Sequence, residues 1–528
     1  MIINLDQWDP GNIIRCDLCI AGAGAAGLSI ALQFIDDPQI DVVILEGGDR
    51  NFSHSSQEIY QGRNLGIAYA ALDTSRLRYF GGTTNHWGGW CRPLGLMDFE
   101  VRSWVPNSGW PISQKDLAPF RPEAHQILDL GGLDYTPESY IREAAGLFPF
   151  DPNLLTHKLW WVSKPPTRFN SKYWPALEKA ESVTLYLNAN LTNIHTSPDG
   201  NSVRRFEVLT NRGKRLQVQS KQYVLALGGL ENPRILLNSR SRHPNGLGNQ
   251  HDLVGRYFME HPHGPFGEML IERDLDKGFG YPQRWGHDGF PRRLSICVSE
   301  TAQRDFKILN HSFTLLNLST VRGKSPGIRA LLDLTGTMED NHPDDFWEDV
   351  RALLRDIEGA AKGVYNMVLG HEVPPQKTII YTRCEQSPNP DSRVVLIDEI
   401  DRLGLRRIGL DWRLTQLDKH TMRTATQILA RELGRQGMGR VKLPEWLLTD
   451  DADEWPEELI GGGHHMGTTR MADDPRQGVV DRDCRLHGLE NLSIAGSSVF
   501  STSGFANPTL TIIELALRLS RHLKEQGF

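Results

Sequence analysis

No apolar run in this 528-residue chain approaches the roughly 20 residues that a bilayer-spanning helix needs. Nor does a basic region, an uninterrupted apolar core or a twin-arginine pair stand near its amino terminus, so the expectation is a cytoplasmic protein without membrane insertion. Cysteine is scarce. The six residues, at 16, 19, 91, 297, 384 and 484, are too few and too spread for a disulfide framework. Cys16 and Cys19 form a CxxC, but the pair enters a predicted strand and no second pair follows. Packing is therefore preferred to zinc or redox chemistry, and no metal is expected. Basic runs are missing too: 58 Lys+Arg and 65 Asp+Glu are dispersed to a net charge of −7, which argues against a nucleic-acid partner. Internal repeats and low-complexity tracts are absent. What remains, 39% hydrophobic residues with 50 glycines, suits a loop-rich α/β protein of two or more domains.

The clearest positive signal lies at the front. DLCIA (17–21) and DVVILE (41–46) read as short apolar strands, separated by GAGAAG (Gly22–Gly27) and a helical stretch at Leu28–Phe34. Gly22 permits a tight turn, Gly24 lets backbone approach a pyrophosphate, and Gly27 lets the helix pack closely on the sheet. Ala25 and Ala26 open the helix whose amino terminus faces the phosphates. Glu46 follows Gly27 by nineteen residues, at the end of the second strand, where a carboxylate accepts hydrogen bonds from ribose hydroxyls. Strand, glycines, helix, strand and acid in that order point to a dinucleotide, NAD or FAD alike.

The nucleotide unit resumes later in the chain. VTLYL (183–187) and YVLALGG (223–229) read as further strands of the same sheet, and Ala226 and Gly228 fall at a turn suited to the same cofactor. The expected organisation is a discontinuous dinucleotide domain over 1–110, 176–265 and 446–528, with a Pro-, Trp- and Tyr-rich cap at 111–175. A separate α+β substrate domain at 266–445 is predicted from the alternation in KTIIYTRCEQ (377–386) and VVLIDE (394–399). Helices are predicted at Pro343–Gly363 and Leu417–Gly437.

The far end supplies chemistry. Taking hydride from a carbinol requires a base for the hydroxyl proton, and an imidazole is suited to it, so one of the adjacent pair His464 and His465 is the candidate. Asn507–Pro508–Thr509 reads as a helix start, asparagine at the cap and proline in the first turn. A helix amino terminus directed at a flavin ring would stabilise negative charge there by on the order of 1 kcal/mol.

The blocks GGGHHMGTTRM (461–471) and NPT (507–509), with FGGTTNHWGG (80–89), SGWPIS (108–113), ALGGLENPRILL (226–237) and DLVGRYFMEHPH (252–263), resemble the glucose–methanol–choline (GMC) oxidoreductases. Within that family they are most similar to the pyranose oxidases and bacterial glycoside 3-oxidases and 3-dehydrogenases. The resemblance implies a Rossmann-like FAD domain and oxidation of a sugar or glycoside alcohol, at pyranoside C3 or C2, with dioxygen, a quinone or a cytochrome as acceptor. A non-sugar alcohol, or a non-redox FAD-containing lyase, is the alternative on the same scaffold. It also implies that His464 is the base, that His465 is its neighbour and a substrate contact, and that Asn507 holds the substrate oxygen. Gly82, Thr83, Asn85, His86, Trp87, Gly88, Gly496, Asn507, Pro508 and Thr509 then border the flavin. His86, four residues after the second glycine, is the candidate for covalent attachment. Gln386 resembles a sugar-contacting strand position, with Glu385 beside it, and alternation turns only one of the two inward. His261 and His263 are candidates for the cavity mouth. Trp87, Trp90, Trp104, Trp110, Trp160 and Trp161 are candidates for stacking on a sugar, against a simpler role in the core.

Overall fold

A computed structural model describes residues 1–8, 11–141, 147–271, 281, 283–317, 378–449 and 454–527. The predicted helix at Pro343–Gly363 lies outside the described residues, whereas the one predicted at Leu417–Gly437 spans Gln416–Arg435. Thr415 starts that helix through a capping box, its side chain accepting from the Asp418 backbone while Asp418 accepts at the Thr415 backbone.

The front of the chain builds one eight-stranded sheet. Its parallel part runs in the order Ile2–Asn4, Val183–Leu187, Val42–Leu45, Ile13–Ala21 and Arg215–Leu225. Leu492–Ile494 joins in parallel beside Tyr223–Leu225, so the carboxy-terminal tail pairs with a strand more than 260 residues away. Val203–Leu209 and Asn190–Thr196 extend the other edge as antiparallel strands. The apolar run Leu18–Ala21 is fully buried because both faces of this central parallel strand are covered. Each such side chain contributes about 1.5–3 kcal/mol when it is a Leu or Ile. The helix Thr509–Gln526 packs across Ala25–Ala31, closing one of those faces with Leu510, Ile513, Leu517 and neighbours.

The second eight-stranded sheet is antiparallel through its centre: His263–Ile271, Thr378–Cys384, His311–Asn317, Pro291–Val298 and Leu155–Val162 pair in turn. Its strand Leu155–Val162 comes from the Trp-rich segment before Val183, and Trp90–Cys91 pairs beyond it. Alternation holds along Thr378–Cys384, where every second side chain is buried. The other predicted alternating strand, observed as Arg393–Ile400, belongs elsewhere. It forms a three-stranded sheet with Arg406–Asp411 and Gly62–Asn64.

Candidate active site

Four parallel strands of the first sheet end at one cavity, and each delivers a residue expected at a cofactor. Ile13–Ala21 leads to Gly22 and Gly24, Val42–Leu45 to Glu46, Arg215–Leu225 to Ala226 and Gly228, and Leu492–Ile494 to Gly496. The crevice at the carboxyl ends of parallel strands is where α/β sheets bind ligands, because the turns leave backbone groups free there. The cavity encloses about 970 Å³.

The glycines divide by what a side chain would meet. A Cβ at Gly24, Gly228 or Gly496 would have no atom within 4 Å, so these positions face open space. Gly22 is different: at φ 106° it turns so that a Cβ would lie 2.5 Å from the Ala226 carbonyl oxygen. Gly27 is away from the cavity wall, and a Cβ there would collide with the Gly22 carbonyl, as close helix–strand packing requires. Glu46 is buried and accepts from Ala23 N–H at 3.1 Å and Gly48 N–H at 2.8 Å, one bond to each carboxylate oxygen. Ala25, Ala26, Gly82, Thr83 and Gly88 also border the cavity. Asn85 does not. Its amide donates to Phe80 O at 2.9 Å and accepts from Asn170 N–H, so it braces the loop that presents His86 and Trp87 to the cavity.

The same cavity reaches the tail. His464, Asn507, Pro508 and Thr509 form its wall together with His263 and with Arg293, Ser295, Ser312, Thr314, Tyr381 and Arg383 of the antiparallel sheet. The Asn507 Oδ1 is buried without a hydrogen-bond partner. Capping does not use it: the helix begins at Thr509 behind Pro508, with no side-chain cap, which corrects the expectation that Asn507 caps it.

The adjacent histidines differ sharply. His465 is enclosed, its Nε2 within 2.9 Å of Tyr69 Oη, 3.4 Å of Ser75 Oγ and 3.9 Å of a Glu260 carboxylate oxygen. Burial, then the Arg76 charge, pushes it down to about 3. His464 places Nδ1 2.8 Å from Nδ1 of His261, and burial followed by the nearby His261 and Arg383 holds it well below the usual histidine range. Beneath both lies Glu260, which burial raises to about 7 although Tyr69 Oη and the backbone N–H of His261, Gly462 and His464 all donate to it.

Several expectations change. Gln386 is outside the cavity and its carboxamide is fully engaged: Oε1 accepts from Glu260 N–H at 2.8 Å and Trp412 Nε1–H at 3.0 Å, and Nε2 donates to Arg413 O at 3.1 Å. The strand ends at Cys384, so alternation no longer applies and Glu385 is buried as well, in an ion pair with Arg102. Among the tryptophans, Trp87 and Trp90 reach the cavity. Trp104, Trp110 and Trp161 donate to Ile308 O, Thr502 Oγ1 and Asp134 O, while Trp160 packs on Phe505. Arg293 and Arg383 lie over Trp90 at 4.5 and 5.5 Å from its ring centre. Tyr69, Glu260, Arg293 and Arg383 were not singled out by sequence, although Glu260 stands inside the DLVGRYFMEHPH block beside His261. His261 is fully buried rather than at a mouth.

A parallel sheet whose glycine turn and buried acid open onto one cavity, shared with an antiparallel sheet and lined by His464 and Asn507, is the arrangement of a two-part dinucleotide-dependent oxidoreductase. Comparison makes the class specific. Residues 388–516 match the carboxy-terminal family model of the GMC oxidoreductases, and the curated relatives include sugar, glycoside and aminoglycoside oxidases and dehydrogenases. It is 24% identical to 6'''-hydroxyparomomycin C oxidase of Streptomyces lividus across 98% of this chain and 93% of that one. Identity to the fructose dehydrogenase large subunit of Gluconobacter japonicus is 26%, over 57% of this chain and about half (47%) of that protein. C-glycoside 3-oxidase of Microbacterium trichothecenolyticum is 30% identical over 27% of this chain and 26% of its own length. Formate oxidase superposes with a TM-score of 0.56 at 15% identity, covering 98% and 99% of the two chains, a likeness of fold. FAD is the cofactor these relationships support, and the cavity fits it: open space over Gly24, Gly228 and Gly496, with Glu46 and Asn507 both in its lining. No described helix is long and apolar enough to cross a membrane.

Proposed function

We propose that this enzyme oxidises a secondary alcohol of a sugar or glycoside, preferentially the C3 hydroxyl of a pyranoside, to the ketone. FAD, when bound, supplies the acceptor for the hydride that leaves the carbinol carbon. His464 takes the hydroxyl proton, and Asn507 holds the same oxygen through its carboxamide. The hydroxyl proton and the hydride together account for the two hydrogens and two electrons lost by the alcohol. The observation that carries the reading is the unequal spending of hydrogen-bonding capacity at one wall. Both histidines border the cavity, but His465 Nε2 is held by Tyr69 and Ser75 and Gln386 is consumed by the protein, whereas among the described residues the His464 ring is engaged only through Nδ1 and Asn507 Oδ1 has no partner. Because burial keeps His464 neutral through the physiological range, it is ready to accept a proton.

The sugar preference draws on the resemblance in HWGG, HxxGTTRM and NPT to the pyranose and glycoside oxidases. It is supported by the hydroxyl-rich floor of Ser295, Ser312, Thr314 and Tyr381. Domain limits at 1–110, 176–265 and 446–528 for FAD, 111–175 for a cap and 266–445 for substrate belong to the same reading, as does a cytoplasmic location. His86, at the cavity wall, is the proposed tether if FAD is covalent; acid precipitation that leaves the yellow colour on the polypeptide tests that part. Dioxygen, a quinone or a cytochrome would be the final electron acceptor. The test is an anaerobic screen of monosaccharides and O- and C-glycosides. Bleaching of the bound flavin and a 3-keto product by NMR are expected. Flavin that stays oxidised with every sugar and glycoside would overturn the sugar reading, and a cyanohydrin cleaved without bleaching would favour a lyase.

A further inference from the structure

We propose that His261 is a positioning residue that fixes the tautomer of His464, so that Nε2 of His464 is the basic atom offered to substrate. This rests on the reading of His464 as the base. The argument follows hydrogens along a chain of atoms. His261 Nε2 lies 2.9 Å from Gly504 O and 3.3 Å from Ser503 O. Carbonyl oxygens only accept, so that nitrogen carries a hydrogen. His261 is completely buried, in a setting where burial and the Arg383 charge push it down to about 3. It is therefore neutral, and a neutral imidazole with hydrogen on Nε2 presents a lone pair at Nδ1. At 2.8 Å from that lone pair, His464 Nδ1 is the donor. His464 is neutral as well, which leaves its Nε2 without a hydrogen.

The consequence is directional. A neutral imidazole free to exchange tautomers spends part of its time with hydrogen on the atom that should act as base. An acceptor fixed at the other nitrogen removes that state. The carbonyls at Ser503 and Gly504 precede Asn507 in the same loop, so one short segment sets the far end of the chain and also supplies the carboxamide of the site. The groups facing the two rings are Arg383 and His263 from adjoining strands of the antiparallel sheet, with His465 and Glu260 behind. None of these is shown bonding to the two Nδ1 atoms, which meet each other.

Asparagine at 261 places a carboxamide oxygen where Nδ1 stood and keeps an acceptor, whereas leucine removes it. Holoenzyme carrying His261→Leu should lose about 10- to 100-fold in the rate constant of anaerobic flavin reduction with KM little changed, and His261→Asn should recover most of that loss. A second readout does not depend on activity. Nitrogen-15 spectra of histidine-labelled wild-type protein, assigned by difference against His464→Gln and His261→Asn, should show His464 protonated on Nδ1 and His261 on Nε2. The reverse tautomers, or equal rates in the wild type and a folded His261→Leu, overturn the proposal. If instead His464→Gln leaves flavin reduction intact, the base assignment fails whatever the tautomers.

Discussion

Two glycines three positions apart in GAGAAG should respond to the same methyl in opposite ways. At Gly24 the backbone is extended, φ −88° and ψ −163°, which any residue adopts, and an added Cβ meets nothing within 4 Å. The apo fold of Gly24→Ala should therefore be unchanged or steadier by about 0.4–1 kcal/mol, since alanine has less freedom to lose on folding. The methyl instead projects into space that the cofactor needs. An overlap costing about 1–3 kcal/mol translates at 1.4 kcal/mol per decade into FAD binding weakened about 5- to 150-fold. At Gly27 the same methyl would land on the Gly22 carbonyl, 3.1 Å from its carbon and 3.3 Å from the Ala226 Cβ. Backbone on that side cannot rotate away, so a penalty of about 1–3 kcal/mol outweighs the roughly 1 kcal/mol that alanine gains over glycine in a helix. Urea melts of the apo-proteins and a fluorescence titration with FAD separate the cases. Wild-type FAD affinity in Gly24→Ala, or a Gly27→Ala protein as stable as the wild type, would refute this account of the motif.

The acid limb of kcat/KM should lie below the usual histidine range, because His464 is depressed; Arg383→Met removes one of the charges that depress it and should move the limb upward, as a pH–rate profile would show. Stability should have its own acid limb. His261, His263, His311 and His465 sit near 3 and His157 near 4 when folded, below an unfolded value of about 6.5, so their contribution is complete above about 6.5 and is lost as pH falls towards those values. Glu260 and Glu514, raised to about 7, act in the opposite sense as pH rises from about 4.5 to 7, but they are fewer than the histidines. Replacing His311, packed between Phe266 and Phe313, by leucine should flatten the limb by up to one proton, about 1.4 kcal/mol per pH unit, in denaturant melts at pH 5 and 7. Removing Arg102 alone leaves Glu385 buried and unpaired in charge, so Arg102→Met should cost about 3–5 kcal/mol of unfolding free energy, and the Arg102→Met, Glu385→Met pair distinctly less.

The nucleotide half of the fold was legible because its signals are local. A buried strand, a glycine turn and an acid at the end of the next strand lie within about thirty residues, and their spacing carries the geometry. Leu492–Ile494 is a strand of three residues whose place beside Tyr223–Leu225 is set by long-range pairing, and no periodicity reveals that. At the site, the motif blocks singled out His464 and Asn507, which both line the cavity. They failed for Gln386 because its chemistry depends on which neighbours consume its carboxamide, Glu260 and Trp412 being 126 and 26 residues away. Asn85 failed for the same reason. His261 looked like an isolated loop histidine in sequence, and only the carbonyls of Ser503 and Gly504 opposite it show how it is held.

The most direct measurement compares single-turnover anaerobic reduction of the bound flavin by one oxidisable glycoside in His464→Gln and His465→Gln proteins with equal flavin content. The account predicts that His464→Gln slows reduction by at least about two orders of magnitude. His465→Gln, whose ring serves the Tyr69 and Glu260 network, should stay within about tenfold of the wild type. The reverse ranking, or two proteins that reduce at the same rate, would contradict it.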